Sequence, residues 1–305
     1  MSLKIESLTK SFGKQIAVNK ASFEIKNGEI AGFLGPNGSG KSTTMKCICG
    51  ILPRDEGLIE IWGINIDKDI RAVKKIIGFL PENNPLHPDL YVKEYLGYID
   101  GFYNKAENRT QRVNDVIELT GLSKEKHKKI GQLSKGYRQR VGLAQTIIPN
   151  PRVLILDEPT TGLDPNQIVE IRNLISNLAK DKTVLLSTHI LQEVEAICDR
   201  IIVINDGKIV ADGTSDSIMH GNVKGKQTIY LEFRNKVDIK VFNRIKKVTK
   251  VEMINEREFL IEGESKTDLR EELFQFAAKN KLSLLTLQKK EETLEEAFRK
   301  LTQKN

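Results

Sequence analysis

The chain has 305 residues, 39% hydrophobic and 29% charged, which is enough for one large and one small domain with their own cores. No run approaches the roughly 18 apolar residues of a membrane helix, and the N-terminus lacks a signal-peptide core, so we expect a soluble cytoplasmic protein. The net charge of +7 includes no dense Lys/Arg block with interleaved aromatic residues, so no nucleic-acid partner is expected.

Strands alternate with helices along most of the chain. The N-terminal part is β-rich, and its second run ends in a glycine-rich loop that leads into the helix "KSTTMKCICGIL". Residues from about 83 to 130 are predicted to be mainly helical, and a further helix should begin at Ser134 in "SKGYRQRVGLAQTII". The strands "RVLILDEP" and "TVLLSTH" flank the helix "PNQIVEIRNLISNLAK". This alternation predicts an α/β fold in which helices cover a parallel sheet.

The pattern changes after "IIVINDGKIVADGT". The tail is predicted to run β-α-β-β-α-β and then to end in the helix "TLEEAFRKLT", an order that indicates a small ferredoxin-like α+β unit. Glycine and polar residues cluster in "HGNVKGKQ", where a domain boundary is expected. We therefore predict domains at 1–220, with a helical subdomain at about 83–150, and at 226–305.

A phosphate-binding loop is predicted at "GPNGSGKS", which fits G-x-x-x-x-G-K-[ST] between an apolar strand and a helix. Glycines without Cβ atoms let backbone N–H groups surround a phosphate, and the helix N-terminus adds its positive dipole. Lys41 can reach the outer phosphates, and the Ser42 hydroxyl can ligate Mg²⁺. The predicted nucleotide-binding residues here are Gly35, Pro36, Asn37, Gly38, Ser39, Gly40, Lys41, Ser42 and Thr43.

Two carboxylates, Asp157 and Glu158, follow the apolar run "VLIL". In open α/β sheets, ligands bind at the carboxyl ends of the strands. One carboxylate there can be a partner of Mg²⁺, and the next can take a proton from an attacking water. Downstream of a phosphate loop, the pair predicts Asp157 as the metal partner and Glu158 as the catalytic base of a nucleotide hydrolase.

An ordered set of motifs resembles the ATP-binding subunit of an ABC transporter: "LSKGYRQRVGLAQ" precedes "LILDEPTTGLDP", and "LLSTH" follows. The resemblance covers residues 2 to about 215 and implies a P-loop NTPase fold with antiparallel β and helical subdomains. The tail resembles the accessory domain of ATPases of the type-2 exporter class. The stretch "FLPENNPLHPDLYVKEYL" resembles the gliding-motility ATPase subfamily.

The resemblance implies roles for five further residues. Phe12 matches the aromatic residue that stacks on adenine, where the family often has tyrosine. Ser134 and Gly136 match the signature loop, which contacts the γ-phosphate of ATP held by the other subunit. Asp164 matches the loop that joins the two sites across the dimer, and His189 matches a catalytic histidine at the γ-phosphate.

Two departures from the family pattern concern turnover. The signature is "LSKGY", where glycine and glutamine are common at positions 135 and 137. The loop after "IIGFLP" usually offers glutamine, whereas this chain has Glu82. A carboxylate there can ligate Mg²⁺ or its waters, so the predicted metal set is Ser42, Glu82 and Asp157.

One phosphate loop and one signature loop supply half of each of two composite sites, so we expect two copies to sandwich two ATP molecules. Without a membrane span, the chain would act from the cytoplasmic face of the inner membrane on an integral membrane permease subunit. We predict an ATPase subunit of an ABC exporter. The alternative is a regulatory or assembly ATPase of an envelope or gliding machine without export. A ribosome-acting or DNA-repair ATPase is disfavoured, because the chain has one cassette and no coiled-coil insertion.

Overall fold

A computed structural model describes residues 1–103, 107–220, 226–245, 247–264, 268–290 and 293–303. The chain divides into one unit of Met1–Ser215 with the segment from Lys300, and a second unit of Asp216–Arg299. The predicted boundary segment "HGNVKGKQ" is only partly described, because residues 221–225 lie outside the described residues. Among the described residues, no helix combines the length and apolar character needed to cross a membrane.

The first unit contains ten strands and eight helices in its described residues, if the helix at the boundary is included. The strands are β1 Leu3–Phe12, β2 Gln15–Ile25, β3 Ile30–Leu34, β4 Glu56–Ile61, β5 Ile64–Asn65, β6 Ile77–Leu80, β7 Val153–Asp157, β8 Thr183–Thr188, β9 Arg200–Asn205 and β10 Lys208–Gly213. The helices are α1 Lys41–Ile48, α2 Ile70–Ile76, α3 Val92–Tyr103, α4 Arg109–Leu119, α5 Lys135–Ile147, α6 Pro165–Leu178, α7 Leu191–Ile197 and α8 Ser215–His220.

A six-stranded sheet in the order β10-β9-β3-β8-β7-β6 forms the centre of this unit. Neighbouring strands of this sheet are parallel from β9 to β6, and only β10 pairs antiparallel, with β9. All residues of β3, β7 and β8 are buried, as expected for apolar strands covered on both faces. The parallel sheet predicted from the alternation of strands and helices is confirmed.

Alternating side chains of the sheet face two separate cores. Ile155 of β7 packs in one cluster with Met45 of α1, and Leu154 packs in another with Leu174 of α6. A second, antiparallel sheet has the order β2-β1-β4-β5. The expected antiparallel β region is therefore present beside the parallel sheet.

Helices α3, α4 and α5 share a third apolar cluster, which includes Leu96, Ile117 and Val141. The fully buried Asp100 of α3 pairs with two arginines of α4, at 3.3 Å from Arg109 and 2.8 Å from Arg112. Of the region from about 83 to 130 that was predicted to be mainly helical, α3 and α4 are helices, whereas 83–91 and 120–129 form turns and irregular chain. The helix predicted from Ser134 begins at Lys135, because the Ser134 side chain accepts a hydrogen bond from the Tyr137 N–H and caps it.

The second unit contains a four-stranded antiparallel sheet in the order β12-β13-β11-β14. Its elements are β11 Lys226–Phe233, β12 Val248–Met253, β13 Glu258–Glu264, α9 Leu269–Lys279 and β14 Leu284–Lys290, and the helix α10 Leu294–Thr302 belongs to it as far as Arg299. The prediction of an α-helix at "KVFNRIKKV" in this unit was wrong, because Ile239–Arg244 forms a 3-10 helix. Its Phe242 is fully buried against Phe233 and Phe259, so core packing rather than helix propensity determines this segment. The ferredoxin-like assignment and the domain limits stay predictions.

Candidate functional site

The glycine-rich loop connects β3 to α1 and lies close against neighbouring backbone. A Cβ atom on Gly35 would lie 2.4 Å from the Ile204 carbonyl oxygen, and one on Gly40 would lie 2.4 Å from the Ala17 carbonyl oxygen. Gly40 also has φ +107°, a conformation that residues with a side chain rarely adopt. These two glycines are therefore required by close packing, and they hold the loop against β9 and β2.

Lys41 is the first residue of α1, and its side chain is only 6% exposed. Its Nζ donates to the carbonyl oxygens of Gly35 at 2.7 Å and Pro36 at 3.2 Å, and it lies 3.9 Å from Oε1 of Glu158. Burial lowers the pKa of the Lys41 ammonium below its usual value, while the Glu158 and Asp157 carboxylates oppose that shift. The loop thus holds a cation that has lost most of its water.

The two carboxylates at the end of β7 have different surroundings. Asp157 is buried, and its Oδ1 accepts a hydrogen bond from Ser187 Oγ of β8 at 2.6 Å. The same Ser187 Oγ accepts from the Glu158 N–H at 2.9 Å. Glu158 has φ +50°, in the left-handed region that costs a residue with a side chain about 1–2 kcal/mol. Ser187 therefore stabilises the backbone turn that redirects the Glu158 side chain.

Glu158 and His189 face each other at the ends of the adjacent strands β7 and β8. His189 Nδ1 lies 3.0 Å from Oε1 and 2.9 Å from Oε2 of Glu158. Because a carboxylate only accepts hydrogen bonds, we assign the hydrogen to Nδ1 of His189. In the neutral ring, Nε2 then carries no hydrogen and can accept one. Thr161 Oγ1 donates a further hydrogen bond to Glu158 Oε2 at 2.9 Å. The carboxylate is thus fixed by two neighbours.

A cavity of about 570 Å³ joins these groups to the phosphate loop. Ten predicted residues line it: Phe12, Asn37, Gly38, Gly40, Lys41, Ser42, Thr43, Glu82, Glu158 and His189. Phe12 lines the cavity with 51% of its surface exposed, and the Lys10 ammonium lies 5.6 Å from the centroid of its ring. Glu82 follows the end of β6 and is exposed. The cavity therefore brings together residues from five separate stretches of the sequence.

The other seven predicted residues do not line this cavity. They are Gly35, Pro36 and Ser39 of the loop, Asp157 at the end of β7, and Ser134, Gly136 and Asp164. Ser134 and Asp164 are exposed N-caps, of α5 and α6 respectively. Gly136 is buried, and a Cβ there would lie 2.6 Å from the Gln167 side chain of α6. Gly136 thus packs on α6 within its own chain, and Lys135 and Arg138 of the same helix line an adjoining cavity together with Glu82 and Glu158.

The sequence prediction did not include several residues that the structure brings into the site. Gln15, Ala17 and Thr161 line the cavity, and Ser187 joins Asp157 to the Glu158 backbone. Ser187 could have been predicted from the sequence, because it follows the apolar run "VLL" at the end of the strand predicted next after the one that carries the carboxylates. Ser39 Oγ in the loop is buried and has no hydrogen-bond partner in the described part of the chain.

The donor set predicted for a metal consists of oxygen atoms, from the Ser42 hydroxyl and the Glu82 and Asp157 carboxylates. Oxygen donors are the ligands that Mg²⁺ prefers, so the residues fit this ion. No group of three or more His, Cys, Asp or Glu residues able to hold a metal occurs among the described residues. Mg²⁺ here would accordingly need oxygen ligands from a nucleotide as well.

Comparisons with known proteins identify the family of this chain. The family model for ABC transporters matches residues 18–161. The chain is 33% identical to the linearmycin resistance ATP-binding protein LnrL of Bacillus subtilis (strain 168) over 98% of both chains. It is 37% identical to the bacitracin transport ATP-binding protein BcrA of Bacillus licheniformis, over 76% of this chain and 74% of that protein.

Solved structures show the same fold. The dimeric ATP-binding cassette MJ0796, in a post-hydrolysis state with ADP and Pi, matches 70% of this chain and 98% of its own, with a TM-score of 0.63 and 29% identity. The cbiO1 protein of Clostridium perfringens, part of the ABC transporter complex cbiONQ, matches 70% of this chain and 88% of its own, with a TM-score of 0.64 and 31% identity. The chain therefore belongs to the ABC transporter family as an ATP-binding protein, and it is an ATPase.

Proposed function

We propose that this ATPase is the energy-supplying subunit of an ABC exporter, in which two copies close around two ATP molecules and drive a separate membrane subunit. The observation that carries the proposal is the composition of the nucleotide cavity. It contains Lys41, Glu158 and His189, whereas Ser134 and Gly136 of the same chain lie outside it. Each chain would thus contribute Lys41, Glu158 and His189 to one nucleotide site and its signature loop to a second nucleotide site.

Lys41 and the loop backbone would hold the phosphates of ATP. The buried ammonium is hydrogen-bonded to two carbonyl oxygens, whose partial charges compensate it only in part. Phosphate oxygens are stronger acceptors and would replace much of the lost hydration. The exposed ring of Phe12 at the same cavity would stack on adenine. Ser42, Glu82 and Asp157 would hold Mg²⁺, which supplies charge neutralisation at the β- and γ-phosphates when bound.

Glu158 would act as the general base for the attacking water. Its carboxylate lines the cavity beside Lys41, so a water between it and the γ-phosphate is within reach of a proton acceptor. The hydrogen bond from Nδ1 keeps the His189 ring at the strand end beside Glu158, where it would contact the γ-phosphate. Thr161 restricts the carboxylate on its other side.

Two copies would complete each site, with Ser134 and Gly136 of one copy placed at the γ-phosphate held by the other. Lys135 and Arg138, in the first turn of α5, are cations at the positive end of a helix dipole, and an anion would relieve this unfavourable arrangement. The dimeric form of the MJ0796 cassette supports the same assembly. Asp164 would lie near the dimer contact.

The membrane subunit would dock on the helical region after Glu82. A cavity of about 450 Å³ there is lined by Phe79 of β6, Ile99, Phe102 and Tyr103 of α3, and Gln145 of α5, among others. Phe102 is 66% exposed and Tyr103 55%, which is unusual for large aromatic side chains in a groove. A cytoplasmic helix of an integral membrane permease fits such a groove, and the chain would then lie at the cytoplasmic face of the inner membrane. The names of the relatives, in bacitracin transport and linearmycin resistance, are consistent with export.

The first prediction concerns the proposed base. Glu158→Gln keeps the side-chain shape but removes the proton acceptor, so ATP hydrolysis should fall by roughly 10²–10⁴-fold. ATP binding should survive, and sedimentation in ATP should show a persistent dimer. Glu118→Gln, an exposed position on α4, is the matched control and should hydrolyse ATP like the parent. Hydrolysis at the parental rate by Glu158→Gln would show that another group is the base.

The second prediction concerns Glu82. If it acts through Mg²⁺, Glu82→Gln should stay active, because a carboxamide oxygen can also ligate the ion or its waters. Glu82→Ala should lower kcat about 10-fold or more with little change in ATP affinity, because it removes a ligand needed in the transition state. Steady-state kinetics and ATP titration separate the two effects. Identical kinetics for all three proteins would leave Glu82 without a role.

The third prediction concerns the docking groove. Phe102→Glu places a charge on the exposed aromatic surface and should abolish recovery of a multi-span membrane protein with the tagged chain from detergent-solubilised membranes. The ATP affinity of the isolated chain should be unchanged, because Phe102 does not line the nucleotide cavity. Phe274→Glu in α9, at a side chain 59% exposed, is the control and should retain the partner. Equal recovery with all three proteins would contradict docking at this groove.

A further inference from the structure

The buried carboxylate of Glu193 joins the two segments that carry Glu158 and His189. Glu193 lies in α7 and is 2% exposed. Its Oε1 accepts a hydrogen bond from Thr160 Oγ1 at 2.5 Å, and its Oε2 accepts one from Thr188 Oγ1 at 2.7 Å. Both bonds are buried, so water does not compete for the carboxylate.

The two threonines stand next to the hydrolytic pair. Thr160 follows Glu158 by two residues, and Thr188 immediately precedes His189. Thr188 Oγ1 also accepts from the Ile190 N–H at 3.0 Å, which fixes the chain on the far side of His189. One carboxylate therefore sets the separation of the loop after β7 from the end of β8.

A buried carboxylate is costly without a cation, and Glu193 has no Lys, Arg or His within ion-pair distance among the described residues. Its buried charge is compensated by the hydrogen bonds from the Thr160 and Thr188 hydroxyls. The arrangement has a geometric consequence, because these two donors from two different strand ends must converge on one planar group. Ser187 provides a separate link between the same strands, through Asp157 and the Glu158 backbone.

We propose that Glu193 is a positioning residue for ATP hydrolysis, which holds Glu158 and His189 in register through Thr160 and Thr188. Glu193 does not line the nucleotide cavity, so it acts on turnover and leaves ATP binding to the phosphate loop. Loss of one of its bonds would let the segment after Glu158 move relative to His189. A displacement of about 1 Å in reacting groups is enough to reduce a rate by on the order of 100-fold.

The test is a comparison of kcat with KM. Glu193→Gln keeps the volume but places a donor against one threonine hydroxyl, and Thr160→Val removes one hydroxyl at nearly constant shape. Each should lower kcat by about 10- to 100-fold while KM for ATP stays within about twofold. Glu195→Gln, an exposed position on the same helix, is the matched control and should match the parent.

Parental kcat in both single variants would overturn the proposal. A loss of ATP binding in parallel with kcat would also overturn it, since it would indicate a structural role. Thr160→Val keeps the test valid if Glu193→Gln fails to fold. The inference rests on the proposed role of Glu158, so Glu158→Gln is measured beside these variants. If Glu158→Gln is as active as the parent, the proposed base is wrong; if only the Glu193 and Thr160 variants are unaffected, this inference alone is wrong.

Discussion

The buried ammonium of Lys41 is the interaction on which the nucleotide site depends. A lysine side chain with 6% exposure has lost most of its hydration, and its pKa is lowered because burial disfavours the charged form. Two loop carbonyl oxygens and the more distant Glu158 carboxylate compensate that loss incompletely. In the proposed complex, the polyphosphate of ATP would supply the missing negative charge. The loop can approach closely enough only because Gly35 and Gly40 have no Cβ atoms to collide with neighbouring backbone.

The parallel pairing of β7 and β8 brings the hydrolytic groups to the same edge of the sheet as this cation. Asp157 pairs with Ser187 in the register of the two strands; Glu158 follows the end of β7, whereas Thr188 is the last residue of β8 and pairs with Leu34 of β3. Hydrogen bonds then determine where the two chains go. Ser187 stabilises the left-handed turn at Glu158, and Glu193 joins the threonines that flank the hydrolytic pair. The site is thus positioned by rigid strand ends and by a short polar network behind them.

The residues with local sequence patterns could be predicted, and those that act through long-range contacts could not. The phosphate loop, the carboxylates after β7 and the capped start of α5 depend on turn chemistry, strand burial and a helix cap that neighbouring residues define. Glu193 lies more than thirty residues after Thr160, and within a helix its pattern is that of an ordinary charged side chain. The 3-10 segment at Ile239–Arg244 was predicted as a helix, because its sequence does not show that Phe242 must enter an aromatic core. The contribution that we propose for a second copy of the chain involves no contact within a single chain, so one chain cannot display it.

The most direct test of this account is a titration of labelled ATP against Lys41→Ala, with Lys46→Ala as the control. Both lysines lie on α1, but Lys41 is buried in the phosphate loop whereas Lys46 is exposed. Removal of charge-assisted hydrogen bonds to phosphate should weaken ATP binding by about 10- to 100-fold in Lys41→Ala. Lys46→Ala should bind ATP like the parent. Equal ATP affinity in Lys41→Ala and the parent, with both proteins folded, would contradict the placement of the phosphates at this loop.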